Sequence, residues 1–192
     1  MASQTIKTRF LILSDTHSAL LPKNRKPKDS VDVAIHCGDL TQESKLKEFR
    51  TAIRLLKSID APLKLVIAGS HDFTLDTPIF RSKIEEFQPS LDMKLIEREY
   101  GSFEEASLLL NEAVDAGIMF LDEGTHHFTL ANGAHLTVYA SPYTPFINHW
   151  GFQYDLRQGH EWPDPHWAFS TYRAADGSDV LSYLKRLQRQ NL

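Results

Sequence analysis

The feature that most limits what this chain can become is a short apolar run, Phe10-Leu11-Ile12-Leu13, that stops at Ser14-Asp15-Thr16-His17. A buried strand ending in a carboxylate and an imidazole has the makings of a metal site. If the backbone stays extended, Asp15 and His17 point the same way and can converge on one ion. The pattern recurs twice. Val31 to Cys37 leads into Gly38-Asp39, and Leu63 to Ala68 leads into Gly69-Ser70-His71-Asp72. Three strands that each end in ligand-type residues predict a site at the carboxyl edge of an open α/β sheet. Singly, an Asp after a strand is a common cap or turn residue, and Gly-Asp is a common turn. The information lies in the three together, in order.

The segments between these runs fit that architecture. Leu46, Phe49, Ala52, Ile53, Leu56 and Ile59 recur at helical spacing, with Ser44 in the position of a cap, so a helix is expected over 45–59. Strand, helix, strand implies a parallel pair with a right-handed crossover. Pro78 and the apolar residues after it suggest a short helix ending before Pro89. Ser102-x-x-Glu105 reads as a capping box. It opens a helix through Ala116, with Leu108, Leu109, Ala113 and Val114 inward and Gly117 as the stop. A short strand over 118–121 follows. Asn132-Gly133 between 127–130 and 135–140 marks a hairpin, and hence a second, antiparallel sheet. Residues 142–167 are rich in Pro, aromatics and His with little periodicity, and 179–190 read as a terminal helix.

Composition limits the function classes. The 192 residues suffice for one domain with a substantial core. A net charge of −4 gives no electrostatic case for nucleic-acid binding. No apolar run approaches membrane-spanning length. The single cysteine, Cys37, excludes an internal disulfide and suits a reducing compartment, so a cytoplasmic protein is expected. Lys23, Arg25, Lys26 and Lys28 form either a solvated loop or a cationic rim for an anionic substrate.

Chemically, Asp15, His17 and Asp39 supply mixed oxygen and nitrogen ligands, and Gly38 allows a tight turn before Asp39. His71 follows a possible ligand, Ser70, and is better placed to donate a proton or hold a phosphate oxygen than to bind metal. Together these residues suggest a metal-assisted hydrolase.

Asp15-Thr16-His17, Gly38-Asp39 and Gly69-Ser70-His71-Asp72 resemble the first three signature blocks of the calcineurin-like metallophosphoesterases. Tyr139-Ala140-Ser141-Pro142-Tyr143-Thr144-Pro145 and Trp150-Gly151-Phe152-Gln153-Tyr154 resemble the fetal-brain-type metallophosphoesterase-domain subfamily. The resemblance implies an α/β/β/α sandwich over a single domain, 1–192, with 168–192 a divergent C-terminal helix. It implies that Asp15 and His17 bind one metal, Asp39 bridges two, position 70 binds the second, and His71 is the catalytic histidine. One or two divalent ions (Mn, Fe, Zn or Mg) and a small phosphomonoester or phosphodiester substrate follow from it.

Two departures are visible. Ser70 stands where the family has asparagine, and the later histidine blocks of the family are absent from this sequence, so the fold is expected to be C-terminally incomplete. His149, His160 and His166 are the replacements on offer. An uncovered sheet edge invites either pairing with another chain, as in a homodimer, or instability. The sequence therefore carries two further readings, a non-catalytic binding protein on the same fold and a truncated product of a longer enzyme.

Overall fold

A computed structural model describes residues 5–22, 29–87, 91–145, 150–155, 157 and 159–160. The three apolar runs form parallel strands: β1 (Phe10–Leu13), β2 (Val33–Cys37) and β3 (Leu63–Ile67). With β4 (Ile118–Phe120) they make one sheet in the order β1-β2-β3-β4, every pair parallel. Equal register brings the ends of β1, β2 and β3 level. Leu13 pairs with His36, and His36 with Val66, so all three chains leave the sheet on one edge.

Alternate residues of β2 and β3 face two different cores, as strands covered on both faces require. Ala34, Val66 and Ile118 pack beneath α1 (Leu46–Lys57) and α4 (Glu105–Asn111), against Phe49, Leu56 and Leu110. Val33 and Leu65 face the opposite way, toward Leu130, Leu136 and Val138 of the antiparallel hairpin β5 (Gly124–Thr129) and β6 (His135–Ala140). Helices, parallel sheet and hairpin thus form three successive layers of the expected sandwich. Phe49 is completely buried, and burial of such a side chain contributes roughly 1.5–3 kcal/mol.

Some local expectations need correction. Ser44 does not cap α1. Its φ is 60° and it is buried, with its Oγ 2.8 Å from Thr74 Oγ1 and accepting from Thr74 N at 2.8 Å. The exposed first turn is instead closed by Glu48, whose carboxylate accepts from Lys45 N at 2.9 Å. The helix opened by Glu105 ends at Asn111 and gives way to a 3-10 turn over Val114–Ala116. Leu108 and Val114 are exposed, while Ala106 and Leu110 carry the buried face. The apolar pattern there marks hydrophobic residues without fixing the helix phase, because the break after Asn111 resets it.

Only half of the expected capping box forms: Ser102 N donates to Glu105 at 3.0 Å, but the helix starts at Glu105 after Glu104, whose φ of 73° is left-handed, with no side-chain cap. A short helix, α2 (Thr77–Phe87), lies where Pro78 pointed, and α3 (Met93–Tyr100) had no counterpart in the sequence reading. Residues Thr144–Pro145 (β7) and Gln153–Tyr154 (β8) pair as a minimal parallel ladder. β1 ends the sheet order and exposes Phe10 and Ile12. The expected terminal helix, the cationic loop and the segment 168–192 lie outside the described residues, as do His149 and His166. Among the described residues no helix is long and apolar enough to cross a membrane.

Candidate metal centre

The loops leaving β1 and β2 run side by side and are stitched through the backbone. Asp15 N donates to Gly38 O at 3.1 Å, His17 N to Asp39 O at 3.1 Å and Ser18 N to Leu40 O at 2.8 Å. Asp15, His17, Ser18 and Asp39 all have left-handed backbones, with φ of 53°, 44°, 62° and 53°. A non-glycine residue in that region costs on the order of 1 kcal/mol, and such strain concentrates at functional sites. The extended geometry expected for Asp15-Thr16-His17 is therefore wrong. The two side chains are aimed by a strained, cross-bonded loop rather than by the pleat of a strand.

The third loop is fastened to the second by carboxylates. His71 N donates to Asp39 Oδ1 at 3.0 Å. Asp72, fully buried, accepts from Leu40 N (3.0 Å), Thr41 N (2.9 Å), Thr41 Oγ1 (2.7 Å) and Gly69 N (2.9 Å). Burial pushes the Asp72 carboxyl upward in pKa, and these four donors oppose it. Gly69 is required by close approach: a Cβ there would lie 2.3 Å from Asp39 Oδ1.

One ligand atom each from His17, Asp39 and His71 lies within 4.8 Å of the other two. Both imidazoles are oriented from behind. His17 Nδ1 is 2.8 Å from Thr41 O, and His71 Nδ1 is 2.8 Å from Gln42 O. A carbonyl accepts only from a protonated nitrogen, so each ring leaves Nε2 as its free atom. Metal-binding histidines are held in this way. The donor set of two imidazoles and a carboxylate suits a divalent transition ion. Asp15 is not one of the three. It lines the adjoining cavity of about 230 Å³ with Cys37, Asp39, Ser70 and Ser141. Burial first, and then the Asp15 carboxylate, pushes the Cys37 thiol up.

The matching family model is that of the calcineurin-like phosphoesterases, over residues 8–181. The chain belongs to the calcineurin-like phosphoesterase family. It is 31% identical over 148 residues to metallophosphoesterase domain-containing protein 1 of Homo sapiens and to its counterpart in Mus musculus, covering 76% of this chain and 40% of theirs. It is also 28% identical over 157 residues to a probable rhamnogalacturonate lyase C of Emericella nidulans, 81% of this chain and 12% of that protein. The chain thus spans less than half the length of these relatives. The likeness to metallophosphoesterase domain-containing protein 1 supports the subfamily as well as the family. Calcineurin-like phosphoesterases are metal-dependent, and the group of His17, Asp39 and His71 supplies a possible site for the ion.

Of the histidines offered as replacement ligands, His160 is described, and it turns elsewhere. Its Nε2 is 2.9 Å from both carboxylate oxygens of Glu123, which also accepts from Ser141 Oγ at 2.6 Å. Two residues that matter here stand in motifs quoted from the sequence, but no role was assigned to either. Asp72 closes the Gly69-Ser70-His71-Asp72 block, and nothing local shows that it would clamp the neighbouring loops. Trp150 lies over the His71 ring, with centroids 4.1 Å apart. It stood in a segment noted for aromatics but without periodicity.

His36, at the end of β2, is buried, with Nε2 2.9 Å from Thr16 Oγ1. Burial lowers its pKa to about 4, against the opposing pull of Asp15 and then Asp39. The folded chain therefore stays unprotonated at His36 while the unfolded chain takes up a proton below the usual value of 6.5. Stability should be unaffected by this residue above that value and should fall by about 3 kcal/mol as pH drops toward 4. Urea unfolding of the wild type and His36→Gln at pH 7 and pH 4.5 checks this. The variant should lose markedly less stability on acidification, and an equal loss would rule the His36 contribution out.

Proposed function

We infer that this chain hydrolyses a small phosphodiester or phosphomonoester at a divalent-metal centre built on Asp15, His17 and Asp39, with Ser70 beside it and His71 as the phosphate-contacting acid. The observation that carries this reading is that His17, held at Nδ1 by a backbone carbonyl, and the Asp39 carboxylate bring ligand atoms within 4.8 Å of a His71 ring atom, with His71 held at Nδ1 in the same way. Bound there, a divalent ion would lower the pKa of a coordinated water and neutralise phosphoryl charge.

The chain's own residues supply the rest. His17 and Asp39 fix the position at which phosphate oxygens gather, and the Asp15 carboxylate adds an oxygen donor on the cavity wall. His71 keeps Nδ1–H on Gln42 O, which leaves Nε2 as the atom that would donate a proton to a phosphate or leaving-group oxygen. Ser70 offers a short neutral hydroxyl, a weaker ligand than a carboxylate or an amide carbonyl. Manganese, iron, zinc and magnesium all accept this mixture of donors.

Ser70 also favours a second reading, in which the same centre holds an ion and a phosphate without turnover. Protein stripped of metal and reloaded with Mn²⁺, assayed on bis-p-nitrophenyl phosphate and p-nitrophenyl phosphate, separates the two. The proposed function predicts turnover that chelator abolishes and Mn²⁺ restores. Tight metal binding with no turnover of either ester would leave only the binding role.

A further inference from the structure

We propose that Trp150 is a positioning residue for His71, delivered by a strap, residues 150–155, that is fastened to the loop after β3. The inference rests on His71 being the phosphate-contacting group. The indole and imidazole centroids are 4.1 Å apart with the planes inclined at 31°. On the His17 side, the His71 ring meets the His17 ring edge-on at 4.7 Å and 75°. His71 is therefore confined by two rings and by its Nδ1 bond to Gln42 O at 2.8 Å. A single hydrogen bond lets an imidazole swing about it. A ring stacked on its face does not.

The strap is built to hold that contact. Gly151 N donates to Ser70 O at 3.0 Å, the carbonyl of the residue immediately before His71. Phe152 N donates to Asp76 Oδ2 at 2.8 Å, and Thr144 N donates to Phe152 O at 2.9 Å. Gly151 is required here, because a Cβ would lie 2.8 Å from Phe73 Cα. Phe152 itself has a φ of 51°, so the chain accepts backbone strain one residue after the close approach. Farther along the chain His160 is clamped to Glu123 and packs between Tyr143 and Tyr154, at centroid distances of 4.3 and 5.3 Å. Below, Lys83 Nζ lies 4.9 Å from the Phe73 ring and 5.9 Å from the Trp150 ring, a cation facing the indole from the side of α2.

A stacked aromatic pair of this kind biases orientation by roughly 10-fold at most. Trp150→Ala should accordingly lower kcat by roughly 10-fold with metal content unchanged, and Trp150→Phe should restore most of it. In a His71→Ala background the same Trp150→Ala change should have no further effect, because its influence passes through His71. Trp150→Leu, which keeps bulk without a π face, takes the place of the alanine variant if that protein does not fold.

An activity-independent readout keeps this separate from the phosphoesterase reading. In the Mg²⁺-loaded protein the His71 ring proton, assigned by its loss in His71→Gln, should sit upfield from the indole ring current. It should move downfield in Trp150→Ala and stay in place in Trp150→Phe. A wild type without turnover defeats the hydrolase reading and leaves this spectrum to decide the positioning role. An unmoved His71 proton, a phenylalanine variant no better than alanine, or a full additional loss in the His71→Ala background would each overturn the proposal.

Discussion

Asp72→Ala is expected to lower stability by about 4 kcal/mol or more and to reduce metal retention, although Asp72 is not itself one of the residues grouped for the ion. The substitution orphans three buried backbone N–H groups at once and takes one acceptor from the Thr41 hydroxyl, which keeps His71 O at 3.2 Å. Each donor left without a partner costs about 1–3 kcal/mol. The loss would reach the site directly. Leu40 and Thr41 follow Asp39, and Thr41 O holds the His17 ring. Gly69 precedes Ser70 and His71. Asp72→Asn keeps the shape but turns an amide N–H₂ toward donors, so it should fall between alanine and wild type. Chemical unfolding measures the first effect and elemental analysis the second. An Asp72→Ala variant within about 1 kcal/mol of wild type would show that this clamp does not hold the loops.

The second large effect concerns rate. His71→Ala should reduce phosphodiester turnover by roughly 10²-fold or more while metal content stays close to wild type. The separation of rate from metal is the informative part, because the His71 ligand atom lies in the same 4.8 Å group as those of His17 and Asp39. Loss of metal together with activity would make His71 a ligand. Unchanged turnover would remove it from the chemistry. His71→Gln, which can still place a hydrogen-bond donor near the phosphate, should retain more activity than alanine.

Much of the fold was legible in the sequence. Three short apolar runs specified the strands, of which β2 and β3 are buried on both faces, and the ligand-type residues after each run predicted one site at one sheet edge. Asn132-Gly133 specified the hairpin, and Gly117, with a φ of 72°, ended the turn before β4. What stayed hidden depends on contacts distant in sequence. Ser44 looks like a cap because caps are local, but its partner, Thr74, is 30 residues away. The strained φ values of Asp15 and Asp39 arise from hydrogen bonds between loops, and no local propensity announces them. Trp150 reaches His71 only because the chain returns from the hairpin to the loop after β3. The same long return takes His160 to Glu123, where its histidine character alone had suggested a metal.

Metal content per chain decides whether the loops after β1, β2 and β3 hold a divalent ion through His17 and Asp39. Wild type and Asp39→Asn, purified without chelator and equilibrated with Mn²⁺, should be compared by elemental analysis. About one ion or more per wild-type chain is expected, as this donor set implies, with loss of most of it in Asp39→Asn and the fold retained. Wild type as empty as Asp39→Asn, or an Asp39→Asn variant as fully loaded as wild type, would contradict this assignment.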